Sequence, residues 1–385
     1  MKKIHLMGIL GNGMSGIASL ASQMGYQVSG CDLKLEGHSK EHLKDIDLLV
    51  VSPAVLYQNN NNPELVEGKK QKIVMTWQEF LGKNLMKGKK VVAIAGTHGK
   101  STTTAMVATI LIDAGFDPSI VIGAYVPEWK GNSRFGKGGY FVIEADEFND
   151  NFLYYNPDIA VINNIEFDHP DFFKNEEDVT ASFENFKNRL IGPKILITEK
   201  DSLNKHFNLS VFGEHNQKNA NMAYLVGQEL GIRKEKITKS LENFKGIGRR
   251  MELIGDINGV KVFDDYAHHP TAIKTTLEGL REKYKNEKIL AIIEPHGYKR
   301  TKALLTQYKN IFSSVNSVII GPIFKARDKV DKTVTSELIA KISKHPNIDS
   351  FQNIFSVIKN FDIVIVMGAG NSNLWAKQIV LALKS

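Results

Sequence analysis

The sequence predicts an α/β protein of three domains, and three observations support this prediction. The chain has 385 residues, enough for two or three domains that each bury a core. Short runs of β-branched and other apolar residues recur, and a polar or glycine-rich turn and then a helical pattern follow most of them. These strand–turn–helix units fall into three groups, which we assign to residues 1–88, 89–245 and 246–385. We expect three α/β units that meet around one cleft.

The first unit begins with an apolar strand at 4–10, followed by Gly11-Asn12-Gly13-Met14-Ser15-Gly16 and a helix over about 17–24. A strand at 26–31 then leads to Asp32. A glycine loop between strand and helix, with an acidic residue about 20 positions further on, is the fingerprint of a dinucleotide-binding Rossmann fold. An NAD-dependent oxidoreductase is therefore one interpretation. The same loop can bind any diphosphate, so the alternatives stay open.

The second unit contains the strongest functional motif, Gly96-Thr97-His98-Gly99-Lys100-Ser101-Thr102. It lies between a predicted buried strand at 90–95 and a helix that ends at Gly115. Backbone N–H groups and the helix dipole favour an anion at such a junction, while Lys100 adds a positive charge and the Ser101 hydroxyl can reach Mg²⁺. The motif predicts a nucleoside triphosphate site, which a simple dehydrogenase does not need.

This loop is shorter than the usual P-loop, which would place a glycine where the chain has Ile94. The alternative is a glycine-rich connector in which Lys100 and Ser101 occur by chance. The strand before it and the helix after it favour the phosphate site.

Polar side chains follow two further strands of the second unit. The strand at 140–143 delivers Glu144, Asp146 and Glu147, and the strand at 159–162 is followed by residues 163–169, which include Asp168 and His169. Ligands of open α/β sheets gather at the carboxyl ends of strands, so we expect these groups to face the phosphates. A solvated turn is an equally simple explanation for Asp146 and Glu147, whereas Glu144 directly follows a buried strand.

The third unit repeats this arrangement. A strand at 260–263 leads to Asp264-Asp265-Tyr266-Ala267-His268-His269-Pro270 and a helix that starts at Pro270, a favoured first residue. A strand at 289–293 leads to residues 294–301 and another helix, and strands at 318–320 and 363–367 complete the sheet. Each strand again ends in polar residues.

Composition narrows the class of protein. Apolar residues make up 42% and charged residues 24%, as in an ordinary globular protein, and the single cysteine, Cys31, suits a reducing cytoplasm. No stretch approaches the roughly 18 apolar residues of a membrane span. The net charge of +7 comes from scattered lysines rather than a basic block, which favours anionic metabolites over nucleic acid. We expect a cytoplasmic protein with neither nucleic-acid nor membrane partners.

In their order along the chain, six motifs resemble signatures of the Mur ligases, the ATP-dependent amide-forming enzymes of peptidoglycan synthesis, which serve cell shape and division. The motifs are 96–102, 144–147, 163–169, 213–216 with Asn219, 248–250 and 264–270. The shortened phosphate loop is itself the form found in this family. The resemblance covers essentially the whole chain and implies a Rossmann-like N-terminal domain, a central P-loop ATPase domain and a Rossmann-like C-terminal domain.

The resemblance also implies an acyl-phosphate mechanism with ATP and Mg²⁺, and a role for each matching residue. Lys100, Glu144, His169, Arg250 and Asp265 are the implied catalytic residues, and Ser101, Glu144 and His169 the implied metal ligands. The implied ATP-binding residues are Gly96, Thr97, His98, Gly99, Lys100, Ser101, Thr102, Asn216, Asn219, Arg250 and Asp265. Gly11, Asn12, Gly13, Met14, Ser15 and Asp32 are the implied UDP-sugar contacts, and His268, His296 and Arg300 the implied amino-acid contacts.

The amine substrate has two interpretations. The loops at 11–16 and 295–301 resemble members that attach L-alanine to UDP-N-acetylmuramate, and Arg300 would pair with the alanine carboxylate. Residues 165–170, 213–216, 266–273 and 322–327 resemble members that attach an intact murein tripeptide to the same sugar nucleotide. We favour alanine because 295–301 and 368–371 lie in the domain that receives the amine, and we expect a monomer or a weak homodimer. The stretch 192–212 is brief for the family, and no modified lysine is evident.

Overall fold

The computed structural model describes residues 2–35, 37–58 and 61–384, apart from the side chains of Asn12, Ala54, Tyr57 and Gln58. Within these ranges the strands form three sheets, of four, six and six strands. The sheets follow one another along the chain without exchanging strands. The predicted α/β class is confirmed.

The first sheet is entirely parallel, with the order β2-β1-β3-β4. Its strands are β1 (Lys3–Met7), β2 (Gln27–Cys31), β3 (Leu48–Val51) and β4 (Val74–Thr76). Its helices are α1 (Asn12–Gln23), α2 (Pro53–Gln58), α3 (Pro63–Lys70) and α4 (Trp77–Phe80). The strand order and the crossover helices give this unit a Rossmann-like form.

The second sheet has the order β10-β9-β5-β8-β6-β7 and is parallel except for the edge strand β7. Its strands are β5 (Lys90–Ala95), β6 (Ser119–Val126), β7 (Gly131–Arg134), β8 (Tyr140–Glu144), β9 (Ile159–Ile162) and β10 (Ile195–Thr198). Its helices are α5 (Lys100–Asp113), α6 (Glu176–Lys187), α7 (Glu214–Glu229) and α8 (Lys234–Glu242). Strand β5, which enters the phosphate loop, lies between β8 and β9, so the polar ends of all three strands are neighbours.

The third sheet has the order β11-β12-β16-β13-β14-β15, with β11 antiparallel to β12. Its strands are β11 (Glu252–Ile257), β12 (Val260–Asp265), β13 (Ile289–Ile293), β14 (Ser317–Ile320), β15 (Ile348–Asp349) and β16 (Ile363–Met367). Its helices are α9 (Pro270–Lys283), α10 (Tyr298–Ala303), α11 (Ser336–Ser343), α12 (Ile354–Val357) and α13 (Ser372–Lys384). Apolar residues on both faces of this sheet are buried beneath helices, as in other parallel α/β sheets.

Four strands match the prediction residue for residue, namely β5, β9, β13 and β16. Helix α1 instead begins at Asn12 rather than near 17, because Gly11 is already its N-cap and the glycine motif forms the first turns. Strand β12 extends two residues beyond its predicted end, so Asp264 and Asp265 belong to the strand itself. Both carboxylates are buried and both accept bonds from neighbouring groups, which makes a strand position possible for them.

The first and second units pack directly on each other through α1 and β7. Ser133 donates a hydrogen bond from Oγ to the carbonyl of Gly16, at 3.1 Å. A Cβ at position 16 would lie 2.3 Å from Oδ1 of Asn132, so a larger residue there would displace the Asn132 side chain. The last glycine of the sequence motif therefore serves packing between the two units.

No helix in the described part of the chain has the length and apolar character needed to cross a membrane.

Candidate active site

One cleft of about 1150 Å³ receives residues from all three units. Gly13 and Trp77 line it from the first unit, the phosphate loop from the second, and Arg300 from the third. The carboxyl ends of β5, β8 and β12 open into the same space, as expected for ligand sites of parallel sheets. The expected shared cleft is present.

The phosphate loop presents a set of unused donors. In the described part of the chain, the N–H groups of residues 99–102 have no hydrogen-bond acceptor, because they are the first four of helix α5. Gly99, with φ +78°, is the N-cap, and Lys100 is the first helical residue. Four converging N–H groups at the positive end of a helix form an anion site.

The segment that follows β9 holds this loop in place. Asn164 accepts the N–H of Thr97 at its backbone oxygen (3.1 Å) and the N–H of His98 at Oδ1 (2.8 Å). Glu166 accepts from the Thr97 hydroxyl at its carbonyl and lies 2.9 Å from His98 Nε2 through its carboxylate. These contacts fix Thr97 and His98 within the loop, and the backbone N–H groups of both residues already have hydrogen-bond acceptors.

Lys100 is folded back toward the loop that carries it. Its Nζ donates to the Gly96 carbonyl at 2.7 Å and pairs with Oε2 of Glu147, also at 2.7 Å. Burial alone lowers the pKa of Lys100, but the carboxylates of Glu147 and Asp146 outweigh it and the pKa is raised. Burial raises the pKa of Glu147 to about 7 against the opposing charge of Lys100. The lysine therefore stays charged.

Two clusters of oxygen and nitrogen donors lie beside Lys100. Ser101 donates its hydroxyl to Oε1 of Glu144 at 3.0 Å, and the Gly123 N–H donates to Oε2 of the same carboxylate. Asp146, Glu147 and His169 form the second cluster, with ligand atoms within 4.8 Å of one another. Oε1 of Glu147 is buried and has no hydrogen-bond partner among the described residues. His169 thus groups with Asp146 and Glu147, whereas the family resemblance names it as a metal ligand together with Ser101 and Glu144.

His169 and Asp168 connect the second unit with the third. Arg300 donates from Nε to Asp168 Oδ1 (2.7 Å), and its Nη2 lies 3.3 Å from Oδ2 and 3.2 Å from Nδ1 of His169. Although burial alone raises the pKa of Asp168, the Arg300 guanidinium holds it far below its usual range. His169 has a φ of +55°, a strained conformation of the kind that occurs at functional sites.

Asn216 and Asn219 lie on one face of α7, as their spacing predicts, and both line the cleft. Asn216 donates to the Phe212 carbonyl at 2.8 Å, and Asn219 donates to Oδ1 of Asn216 at 3.3 Å. Gly213 is the N-cap of the helix, so capping does not account for Asn216. A Cβ on Gly99 would lie 2.3 Å from Oδ1 of Asn219, which places this amide directly against the phosphate loop.

Arg249 and Arg250 lie at the junction of the second and third units. Both stack on the ring of Tyr266, with guanidinium carbons 5.2 and 5.0 Å from its centre. Arg249 donates to Asp264, to the Gly368 carbonyl and to Ser372, which makes it a structural tie within the third unit. Arg250 lines the cleft between two residues with positive φ, Arg249 and Met251.

Asp265 is buried behind Arg250 and accepts the N–H groups of Met251 and Ala267 at 2.8 and 2.7 Å. Burial raises the pKa of Asp265 against the opposing charge of Arg250. Both carboxylate oxygens of Asp265 thus accept backbone N–H groups at the junction of the second and third units, and the residue also lines the cleft.

Three histidines occupy the third unit's side of the cleft. His269 caps helix α9 by accepting the Thr271 N–H at 3.3 Å. His268 instead faces His296, with ring centres 5.3 Å apart, and His296 stacks on Phe324. Burial, reinforced by Arg300, lowers the pKa of His268 well below its usual value and that of His296 to about 4. Both imidazoles are neutral at pH 7.

Few of the predicted UDP-sugar contacts line the cleft. Among those residues whose side chains are described, only Gly13 lines it. Met14 is 2% exposed and packs in the core, so any contact from it would come through its backbone. Asp32 accepts the N–H groups of Leu10 and Lys34 and thereby shapes the turn after β2. Gly11 and Ser15 are exposed on α1, and the side chain of Asn12 lies outside the described part of the structure.

Profiles of three protein domains match this chain in series. They are the "Mur ligase family, catalytic domain" over residues 3–89, the "Mur ligase middle domain" over 94–206 and the "Mur ligase, glutamate ligase domain" over 249–370. The UDP-N-acetylmuramate–L-alanine ligase of Clostridium acetobutylicum is 35% identical, over 96% of this chain and 95% of that protein. The chain belongs to the Mur ligase family. The enzyme of the same name from Aquifex aeolicus is 32% identical over 99% of this chain and 97% of its own length.

Solved Mur ligase structures have the same fold over nearly the whole chain. The UDP-N-acetylmuramate–alanine ligase of Thermotoga maritima superposes with a TM-score of 0.77 at 25% identity, covering 99% of both chains. A murein peptide ligase from Psychrobacter arcticus gives a TM-score of 0.66 at 26% identity, covering 100% of this chain and 99% of the other. The predicted family and its three-domain architecture are confirmed.

Sequence reasoning undervalued several residues of this Mur ligase site. For Glu147, a solvated turn was as simple an explanation as a place in the site, yet this residue is the buried partner of Lys100. Asp168 received no role of its own, yet it binds Arg300. Their shared signal was their position in the polar segments that follow buried strands β8 and β9. Tyr266, which supports Arg250, gave no comparable signal because an aromatic residue in a loop is common on any surface.

Proposed function

We propose that this Mur ligase joins L-alanine to the carboxylate of UDP-N-acetylmuramate, with hydrolysis of ATP to ADP and phosphate. The observation that carries the proposal is the row of four N–H groups at residues 99–102, which have no acceptor among the described residues. They lie beside the charged Lys100 and face a cleft that receives residues from all three units. Two relatives named as L-alanine ligases and one solved structure named as an alanine ligase support the amine assignment.

A carboxylate is a poor electrophile, so it must be activated before an amine attacks. In the proposed reaction an oxygen of the sugar carboxylate attacks the γ-phosphorus, the bond to the bridging oxygen breaks, and ADP leaves. The alanine nitrogen then attacks the acyl carbon, releases a proton and expels inorganic phosphate. Lys100 and the amides of residues 99–102 stabilise the charge that shifts between the β- and γ-phosphates.

The donor groups beside Lys100 suit Mg²⁺. Ser101 and Glu144 offer two oxygens 3.0 Å apart, and the buried Oε1 of Glu147, 3.9 Å from His169 Nε2, has no hydrogen-bond partner among the described residues. Carboxylate and hydroxyl oxygens are the ligands that Mg²⁺ prefers. We assign Ser101 and Glu144 to one ion, and His169, supported by Glu147 and Asp146, to a second. When bound, Mg²⁺ neutralises the charge on the phosphates.

The remaining residues receive roles from their places around the cleft. Asn216, Asn219, Arg250 and Asp265 would contact the nucleotide where the second and third units meet. Arg300 uses Nε and Nη2 on Asp168 and His169, which leaves Nη1 for the alanine carboxylate. The neutral imidazoles of His268 and His296 lie at the same end and are available to accept the amine proton. Gly11–Ser15 and Asp32 would contact the sugar nucleotide. We assign binding of the sugar nucleotide to the domain at residues 1–88, of ATP to the domain at 89–245 and of the amine to the domain at 246–385.

The test is phosphate release in the presence of ATP, Mg²⁺ and UDP-N-acetylmuramate, with L-alanine, glycine, L-serine or the murein tripeptide added separately. We expect release with L-alanine and little with the other amines. Release with the tripeptide alone would replace alanine with the second candidate, for which the weaker match to the Psychrobacter arcticus murein peptide ligase is the supporting observation. The absence of release with every amine would contradict ligase activity.

Binding measurements address the oxidoreductase alternative. The relatives named above are ligases, and they give that alternative no support. Fluorescence titration with a reduced nicotinamide cofactor is expected to show no binding, whereas UDP-N-acetylmuramate binds. Tight cofactor binding without affinity for the sugar nucleotide would favour the dehydrogenase interpretation of residues 11–32.

A further inference from the structure

A second group of chemically active side chains lies within the first unit, and no member of it lines the cleft. We call it the Cys–His–Glu cluster and define it as His5 on β1, Cys31 at the end of β2, His38 and His42 in the following segment, and Glu64 in the first turn of α3. The proposed ligase reaction uses none of these residues. The cluster therefore needs an explanation of its own.

Four of these side chains converge on one point. One ligand atom each from His5, Cys31, His42 and Glu64 lies within 4.8 Å of the other three. Oε1 of Glu64 is 3.0 Å from His5 Nε2, and Oε2 of the same carboxylate is 3.2 Å from Cys31 Sγ and 3.4 Å from His42 Nδ1. Tetrahedral zinc, with bonds of about 2.0 to 2.3 Å, separates its ligand atoms by about 3.3 to 3.6 Å. The distances around Glu64 are close to that spacing.

The cluster is buried and incompletely bonded. Glu64 is 0% exposed, His5 is 4% and Cys31 is 3%. His5 Nε2 and Glu64 Oε1 lie 3.0 Å apart, within ion-pair distance, but neither atom makes a well-aligned hydrogen bond to any described residue. Buried polar atoms without partners are costly, so such atoms require a ligand or a specific role. Here two of them point toward the same space as a thiol and a second imidazole.

We propose that His5, Cys31, His42 and Glu64 bind one zinc ion. Thiolate and imidazole ligands select zinc over magnesium or calcium, which prefer oxygen. Four protein ligands close the coordination sphere, as in structural rather than catalytic zinc sites. Nδ1 of His5 lies 2.9 Å from the Ser29 hydroxyl, an outer contact that fixes the ring with Nε2 toward the metal. Nδ1 of His38 lies 3.1 Å from Cys31 Sγ, so His38 contacts the sulfur without being one of the four proposed ligands.

The ion would connect elements that are distant in sequence. It would tie β1 and β2 to the segment after β2 and to the start of α3, next to the turn that Asp32 shapes. The His42 side chain is 21% exposed and marks the route by which the metal enters. Zinc binding therefore stabilises the first unit without taking part in ligation.

The experiment uses the full chain, stripped with a chelator and then supplied with Zn²⁺ or Co²⁺. Elemental analysis after gel filtration is expected to find about one zinc per chain. Co²⁺ is expected to give the near-ultraviolet charge-transfer band of a thiolate–cobalt bond. Because Cys31 is the sole cysteine of the chain, this band reports on the proposed site alone, even if Co²⁺ also binds in the cleft.

Variants separate metal binding from a simple hydrogen-bond network. Cys31→Ser is expected to abolish the band and to weaken zinc binding by about tenfold or more. His42→Asn removes the most exposed ligand and disturbs the core least, while His206→Asn makes the same change at an exposed histidine elsewhere and should leave binding unchanged. Wild-type protein without stoichiometric zinc, or without the band, would overturn the proposal. So would equal zinc affinity in wild type, Cys31→Ser and His42→Asn.

Discussion

Arg300 of the third unit binds Asp168 of the second, with Nε 2.7 Å from Oδ1, although 132 residues separate them in sequence. The same guanidinium lies 3.2 Å from Nδ1 of His169, which belongs to the cluster beside Lys100. The amine end and the phosphate end of the cleft are thus linked by one side chain. An arginine fits this position because its planar fork can serve two partners at once.

We expect Arg300→Lys to raise the KM for L-alanine by about 10- to 100-fold, because a charge-assisted hydrogen bond contributes about 1.5–3 kcal/mol. Lysine keeps the charge but cannot span Asp168, His169 and a substrate carboxylate together. Initial rates at varied L-alanine, with ATP and UDP-N-acetylmuramate saturating, measure the change. An unchanged KM for alanine would show that Arg300 serves only the contact between units.

Asp168→Asn tests the other side of this pair. The change leaves Arg300 without its buried counter-charge, so both kcat and the free energy of unfolding should fall, the latter by about 3–5 kcal/mol. In a double-mutant cycle with Arg300→Gln, the two effects should be strongly non-additive. Additive effects would contradict a direct coupling between the two residues.

Lys100→Ala is expected to lower kcat by at least about 10²-fold, since a donor aimed at developing charge contributes that much in other enzymes. Lys100→Arg should not restore activity, because the lysine occupies a narrow position between the Gly96 carbonyl and Glu147. Coupled measurement of ADP formation checks both variants. Wild-type turnover in Lys100→Ala would remove the basis for assigning the phosphate loop.

Much of the fold and of this loop was predictable because local patterns determine them. Strand β5 and the start of α5 follow from an apolar run, two glycines and a lysine within twelve residues. The Arg300–Asp168 pair was not predictable, because nothing local to either residue specifies which group it meets 132 positions away. The same holds for the Cys–His–Glu cluster, whose members approach one another only when β1, β2 and α3 pack. The edge strands β7 and β11 were missed because β7 lacks apolar residues and β11 mixes polar and apolar residues without a clear alternation.

His215 should make the protein less stable in acid. Burial lowers the pKa of His215 to about 4, and the charge of Arg250 adds to the effect. The pKa of a histidine in the unfolded chain is about 6.5. Between these values the unfolded chain binds the extra proton, so stability falls as the pH falls from about 6.5 to 4. His215→Gln should reduce the slope of the unfolding free energy against pH by about 1.4 kcal/mol per pH unit. Urea titrations at several pH values measure this slope. An identical slope in the variant would mean that the histidine is already protonated in the fold.

Ligands should draw the three units together. ATP, sugar nucleotide and amine are assigned to different units, and water must be kept from the acyl phosphate. We expect a smaller radius of gyration in small-angle scattering when UDP-N-acetylmuramate and a non-hydrolysable ATP analogue are both present. Lys100→Ala with the same ligands is the control, since weaker nucleotide binding should leave it expanded. An unchanged radius in the wild type would count against closure.

Gly99→Ala should abolish nucleotide binding for two separable reasons. The residue has a φ of +78°, which costs an alanine roughly 1–2 kcal/mol, and the new Cβ would lie 2.3 Å from Oδ1 of Asn219. Truncation of Asn219 removes the second problem but not the first. The double variant Gly99→Ala with Asn219→Ala should therefore regain thermal stability relative to Gly99→Ala without regaining wild-type ATP affinity. Calorimetric titration with ATP and thermal unfolding measure the two effects. If Gly99→Ala alone bound ATP normally, the loop would have to reshape freely around its N-cap, which would contradict an anion site built from fixed N–H groups.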